Sequence, residues 1–141
     1  MEIFRMIILT LHVLGAVLIV GSVLYSLSVV FRKEFSTREI ALMRKINKFG
    51  SGIAGSQFLT GAILVGTEWD ELGHKPLVWV KVALWVLDGI IAKQIIDKKL
   101  SEFEEQGSTT KLKSTIQIST LVLLIVVLVI ATCGVSLAQA N

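Results

Sequence analysis

Cysteine is almost missing from this chain, and proline, tyrosine and histidine are nearly as scarce. There is one Cys, one Pro, one Tyr and two His in 141 residues. The lone Cys133 excludes an intrachain disulfide and any C-x-x-C pair. No Walker loop, no G-x-S-x-G and no H-E-x-x-H occurs, so phosphate-loop, serine-hydrolase and zincin chemistry have no motif to rest on. Charge is sparse too, at 18% of residues against 53% hydrophobic, with a mean hydropathy of +0.74. That composition is far too apolar for a soluble domain of this length and places the chain among membrane proteins. The pI near 9.2 does not call for nucleic acid. The basic residues gather at the ends of apolar runs, where orientation in a bilayer accounts for them.

What the chain does have is long apolar runs. Met6–Phe31, MIILTLHVLGAVLIVGSVLYSLSVVF, carries no formal charge. Three more follow, within Phe49–Thr67, Pro76–Ala92 and Ser114–Ala140. Runs this continuous are spanning helices, not the alternating strands of a barrel. The expectation is an all-α, polytopic fold: a single four-helix transmembrane bundle over residues 1–141, with helices at about 3–31, 37–66, 76–104 and 110–138. Ser36-Thr37-Arg38-Glu39 has the form of a capping box, which starts the second helix near Thr37. Ile95, Ile96, Leu100 and Phe103 carry the third helix past Ala92 to a break at Gly107, with Ser108–Thr110 as caps for the fourth. The N-terminus does not read as a cleaved signal peptide, because its apolar run is too long, no basic n-region precedes it and no small-x-small cleavage site follows.

Lys and Arg orient the bundle. The first connection holds Arg32, Lys33, Arg38, Arg44, Lys45 and Lys48, and the third holds Lys93, Lys98, Lys99, Lys111 and Lys113. The opposite side holds only Arg5, Lys75 and Lys81, so the bias is eleven to three. The positive-inside rule then puts both termini and the 67–76 loop on the outer (periplasmic or extracellular) face of the cell (inner) membrane, with the basic connections in the cytoplasm.

An ionisable residue inside such a helix is a functional hypothesis by default. His12 shares a broad, small and polar face with Arg5, Gly15, Ile19, Ser22 and Ser26, and that face points into the bundle. Arg5 lies about 10 Å nearer the outer surface. This pair suits a b-type haem, with imidazole on iron and guanidinium on a propionate. The other reading is a core histidine hydrogen-bonded to a backbone carbonyl or a Ser of a neighbouring helix. On the third helix Lys81, Trp85 and Asp88 share a face, with Asp88 near mid-membrane. Asp88 must be neutral or paired, with Gln57, Tyr25, Ser22 and Ser26 as candidate partners. It acts as a proton relay or substrate contact, or else fixes helix packing. His74, the only other histidine, is in the outer loop and ligates metal only if that loop brings it inward. Thr60, Lys81, Trp85 and Cys133 converge with His12 in the outer half. Small residues along the second helix allow close packing or leave room for a flat cofactor or lipid tail. The fourth helix is nearly featureless and is expected to face lipid or a partner.

L-T-L-H-V-L-G-A-V-L (Leu9–Leu18), L-T-G (Leu59–Gly61) and P-L-V-W-V-K-V-A-L-W (Pro76–Trp85) together resemble the HemJ-type protoporphyrinogen oxidases and the related CopD-like copper-resistance membrane domains. The resemblance spans nearly the whole chain. It implies that His12 and Lys81 belong to the functional site, that haem b is bound, and that protoporphyrinogen IX is oxidised with electrons passed to the respiratory chain. The chain departs from the family pattern where Val29-Val30-Phe31 and Asp88-Gly89-Ile90 replace further histidines, and where Leu9 replaces a basic residue, which marks a divergent member.

The resulting expectation is a membrane haem protein with a redox role, either electron transfer or protoporphyrinogen IX oxidation. His12, Arg5, Trp85 and Lys81 contact the haem, His12 (with His74 as a second candidate) binds iron, and Lys81 and Asp88 act in catalysis. The alternatives are a non-enzymatic subunit of a larger membrane complex and a CopD-like copper or small-solute transport module. Expected partners are the lipid bilayer and either a second copy or a respiratory-chain protein.

Overall fold

The computed structural model describes residues 2–32, 36–107 and 110–139. They form α1 (Glu2–Val30), α2 (Thr37–Thr67), α3 (Trp69–Leu72), α4 (Pro76–Ile90), a π-helical segment (Ile91–Asp97), α5 (Lys98–Gln106) and α6 (Thr110–Gln139). There is no strand among the described residues. Three helices are long and apolar enough to cross a membrane: Glu2–Val30, Thr37–Thr67 and Thr110–Gly134. The expected caps Ser108 and Thr109 lie outside the described residues.

The capping box at the start of α2 is formed. The Ser36 backbone N–H donates to Glu39 Oε2 at 2.7 Å, and the Glu39 N–H donates to Ser36 Oγ at 3.3 Å. Arg32 adds an ion pair to Glu39 at 2.7 Å. The 67–76 stretch, expected as loop, contains the short turn α3. Gly73 donates its N–H to the Trp69 carbonyl at 2.8 Å, and the Trp79 indole donates to the Gly73 carbonyl at 3.2 Å. A Cβ at Gly73 would lie 2.7 Å from the Trp69 carbonyl oxygen, so this close turn needs glycine.

The third helical stretch runs unbroken from Pro76, with right-handed helical backbone at both ends of the π segment. Its buried residues show the extra residue: the step from Ile91 to Ile96 is five, where an α-helix gives three or four. A widened turn leaves a carbonyl short of its usual partner, and Asn47 Nδ2 donates to the Ala92 carbonyl at 3.1 Å.

The tightest packing is at the basic end. Val29 and Val30 of α1, Ile40 and Met43 of α2, Leu100 of α5 and Ile116 of α6 are fully buried. Arg44 clamps this end, pairing with Glu104 at 2.7 Å and with Asp97 at 3.8 Å. Gln117 Nε2 and Lys113 Nζ donate to the Val30 and Arg32 carbonyls at 2.8 and 2.9 Å. Towards the other end α1 leaves Val13, Leu14, Val17 and Leu18 exposed.

One side of α6 is exposed and apolar, with Ile118, Leu121, Ile125 and Leu128, as a helix facing lipid or a partner requires. Its other side is central, packed on α1, α4, the π segment and α5, with Thr120, Leu123, Val126 and Val127 buried. A helix that is apolar all round has no polar face to hold it at a periphery. Its one fully buried polar side chain, Thr120, satisfies itself by donating to the Ile116 carbonyl at 2.8 Å. By contrast α2 and α4 scarcely touch, and are joined through α1 and α6. They are drawn together at the basic end, where α2 packs on the π segment and α5.

Truncation of Met43 to alanine is expected to lower unfolding stability by about 2–5 kcal/mol, read from thermal melts in detergent. The Ser36 backbone amide, helped by the Ser36 hydroxyl and the Arg32 guanidinium, holds the Glu39 carboxyl below its ordinary range. A depressed folded value gives stability that is complete above the unfolded value and is lost as pH falls through the folded one. Melting temperatures of the wild type should therefore drop on acidification more steeply than those of Glu39→Gln.

Candidate functional site

His12 sits half-buried on α1, and its Nδ1 is 2.9 Å from the Thr60 hydroxyl of α2. That hydroxyl also faces the Ser56 and Gln57 carbonyls of its own helix, at 2.9 and 3.1 Å. When its single proton goes to a carbonyl, the hydroxyl accepts the His12 Nδ1–H, and in this tautomer Nε2 carries the lone pair. Nε2 has no hydrogen-bond partner among the described residues. The structural reading of His12 expects a backbone carbonyl or a serine of a neighbouring helix, and the partner is a threonine hydroxyl instead.

Two glycines allow this approach. A Cβ at Gly61 would lie 3.3 Å from His12 Cε1, and one at Gly15 would run into the Gln57 amide. Gln57 occupies the space above Gly15 and donates to the His12 carbonyl at 2.6 Å.

Lys81 of α4 is partly buried and makes no ion pair or hydrogen bond among the described residues. Its Nζ would stand 3.2 Å from a Cβ at Gly134, and its charge acts on both His12 and Cys133. His12 and Thr60 meet, and Lys81 lies within electrostatic reach of His12 and Cys133, while Trp85, expected with them, does not join them. Arg5 is exposed and pairs with Glu68, tying the start of α1 to the turn between α2 and α3. His74 is exposed beside α3. Among the described residues no group of three or more His, Cys, Asp or Glu is placed to hold a metal ion.

Trp85 and Asp88 belong to a different place. They line a cavity of about 280 Å³ with Ser22 of α1, Asn47 and Ser51 of α2, and Lys93 of the π segment. The Phe58 ring stacks on Trp85 across the gap between α2 and α4, with centroids 4.9 Å apart and planes at 32°. Asp88 is only 8% exposed, and its Oδ1 has no hydrogen-bond partner among the described residues. The buried Trp85 Nε1 has none either. The expected pairing of Asp88 with Gln57, Tyr25, Ser22 or Ser26 does not serve this oxygen. Gln57 is turned to His12, Ser22 and Ser26 donate to the Ile19 and Ser22 carbonyls, and Tyr25 packs against the apolar core.

The site residues read from sequence therefore divide into three groups: His12 with Lys81, Trp85 with Asp88, and Arg5 and His74 at the exposed end. Asn47 and Phe58 escape sequence reasoning. Asn47 stands one turn before Ser51 in the small-residue stretch of α2, which is a weak signal. Phe58 looks like any apolar helix residue. No protein-family model, curated protein or solved structure matches the chain.

Gly15→Ala is expected to destabilise the fold by about 1–3 kcal/mol through overpacking against Gln57. Adding Gln57→Ala should recover most of that loss. A double-mutant cycle on thermal unfolding measures the coupling.

Proposed function

We propose that this chain is a multi-pass cell-membrane protein that holds a b-type haem on His12 and serves a redox role. In this reading four helical spans cross the bilayer: α1, α2, α4 with its π extension, and α6. Both termini and α3 are outside, and the basic connections are cytoplasmic. The eleven-to-three distribution of Lys and Arg supports the orientation. Exposed Trp79, Val80, Val86, Leu87 and Ile90 give α4 an apolar outer surface suited to lipid.

The observation that carries the haem reading is the His12 Nε2, which has no hydrogen-bond partner among the described residues. A metal-binding histidine donates its other ring N–H to a fixed acceptor, and the Thr60 hydroxyl stands where that acceptor is needed. In that tautomer Nε2 would ligate the haem iron. When bound, haem supplies reversible one-electron iron chemistry whose potential follows its ligands and surroundings. The chain's own residues do the rest. Thr60 sets the ring's tautomer and orientation, and Gly61 lets α2 approach the ring edge. With Arg5 committed to Glu68, Lys81 is the cation beside His12, suited to a propionate. Electron transfer and porphyrinogen oxidation both use this arrangement, and the resemblance favours the second.

Purified protein from a haem-replete host is expected to show a Soret band that disappears in His12→Ala. Thr60→Val should retain the band but weaken haem affinity about 10–100-fold. A haem-replete preparation with no Soret band overturns the reading. Impermeant labelling of single cysteines in the 67–76 stretch from the outer face tests the orientation.

A further inference from the structure

We infer that the cleft between α2 and α4 binds a membrane-dissolved molecule with a hydroxyl head group, held between Trp85 Nε1 and Asp88 Oδ1. This inference rests on the membrane-spanning reading above, but not on haem. Trp85 and Asp88 are three residues apart on α4 and face the same side. One is a buried donor without an acceptor, and the other offers a buried acceptor without a donor. Burying such groups unpaired is unfavourable, and natural structures seldom do so. A single hydroxyl satisfies both: its oxygen accepts the indole N–H, and its proton goes to the carboxylate oxygen.

The walls support this polarity. The Ser22 and Ser51 hydroxyl protons go to the Ile19 and Asn47 carbonyls at 2.7 and 3.0 Å. The Asn47 amide donates to Ala92 at 3.1 Å. The two serine hydroxyls and one amide proton of Asn47 are thus engaged, while the exposed Lys93 also lines the cleft; the buried N–H left for an occupant is that of Trp85.

The route of entry follows from the helix arrangement. Gly50, Ser51 and Gly55 of α2 face Gly89 of α4 and Ala92 of the π segment across the cavity. Ser51, Gly55 and Gly89 are exposed, and a Cβ at Gly55 or Gly89 would meet nothing within 4 Å. The cleft is thus open on the flank of the helices, which faces acyl chains in the proposed disposition. An occupant enters from the bilayer, with the Phe58–Trp85 stack limiting the cleft towards the His12 end. A volume of 280 Å³ is near the small end of ligand sites, roughly 300–1,000 Å³, and suits a ring with its hydroxyl.

The test uses the full chain in lipid nanodiscs, with 1-naphthol as probe and naphthalene, which lacks the hydroxyl, as control. Calorimetric titration should give saturable 1-naphthol binding, about tenfold weaker in Asp88→Ala, because the acceptor of the hydroxyl proton is lost. Trp85→Phe keeps an aromatic ring against Phe58 but removes the donor, and should weaken binding similarly. Gly55→Leu fills the open flank without touching either polar group, and should abolish binding while leaving the melting temperature unchanged. Naphthalene should not distinguish wild type from Asp88→Ala. Equal binding of the two probes, or wild-type affinity in Gly55→Leu, overturns the inference and leaves a water-filled cleft. Release of the chain from membranes by carbonate overturns the membrane reading itself. Retention in the membrane without probe discrimination overturns the cleft alone.

Discussion

Ile40, Met43, Leu100 and Ile116 meet where α2, α5 and α6 converge, and their removal from water is the interaction on which the rest depends. Each such side chain contributes about 1.5–3 kcal/mol on burial. That force exists only where the alternative is water. Along the lipid-facing lengths no comparable drive pulls helices together, because acyl chains are as apolar as leucine. The helices are therefore gathered at the basic end, with Arg44 bridging to Glu104 and Asp97 across the same junction. Beyond it they are free to part.

The separation of α2 from α4 is the main product of that freedom. Contacts made by small residues and single polar bonds bring α1 against α2, through Gly15, Gly61, Thr60 and Gln57. Nothing equivalent joins α2 to α4 except the Phe58–Trp85 stack. The same scarcity of side-chain bulk therefore has two outcomes. Opposite His12 it permits tight packing with a fixed imidazole. Opposite Asp88 it leaves a cleft with two unsatisfied groups.

The helical segments were legible from hydropathy because a bilayer imposes long uninterrupted apolar runs, and the start of α2 was legible because a capping box is a local device. The partner of His12 was expected as a backbone carbonyl or a serine of another helix, and is the Thr60 hydroxyl. The surroundings of Asp88 were not legible. Which of Gln57, Ser22 or Ser26 turns towards it depends on helix rotations, and these side chains found carbonyls instead. Nor was the central position of α6, since an evenly apolar helix carries no facial pattern to read. The turn of α3 depends on Trp69 and Gly73 meeting across a few residues, a contact that composition does not announce.

The π segment sets the phase between two halves of one long rod. One residue corresponds to about 100° of rotation in an α-helix. The regular steps from Asp88 to Leu100 would leave the two about 120° apart; one extra residue in the π segment brings them to within about 20° and lets both be buried. Asn47, by holding the Ala92 carbonyl, keeps that phase from relaxing. The sealed knot at the basic end and the open cleft beside Asp88 thus share a single helical rod, wound out of step with itself.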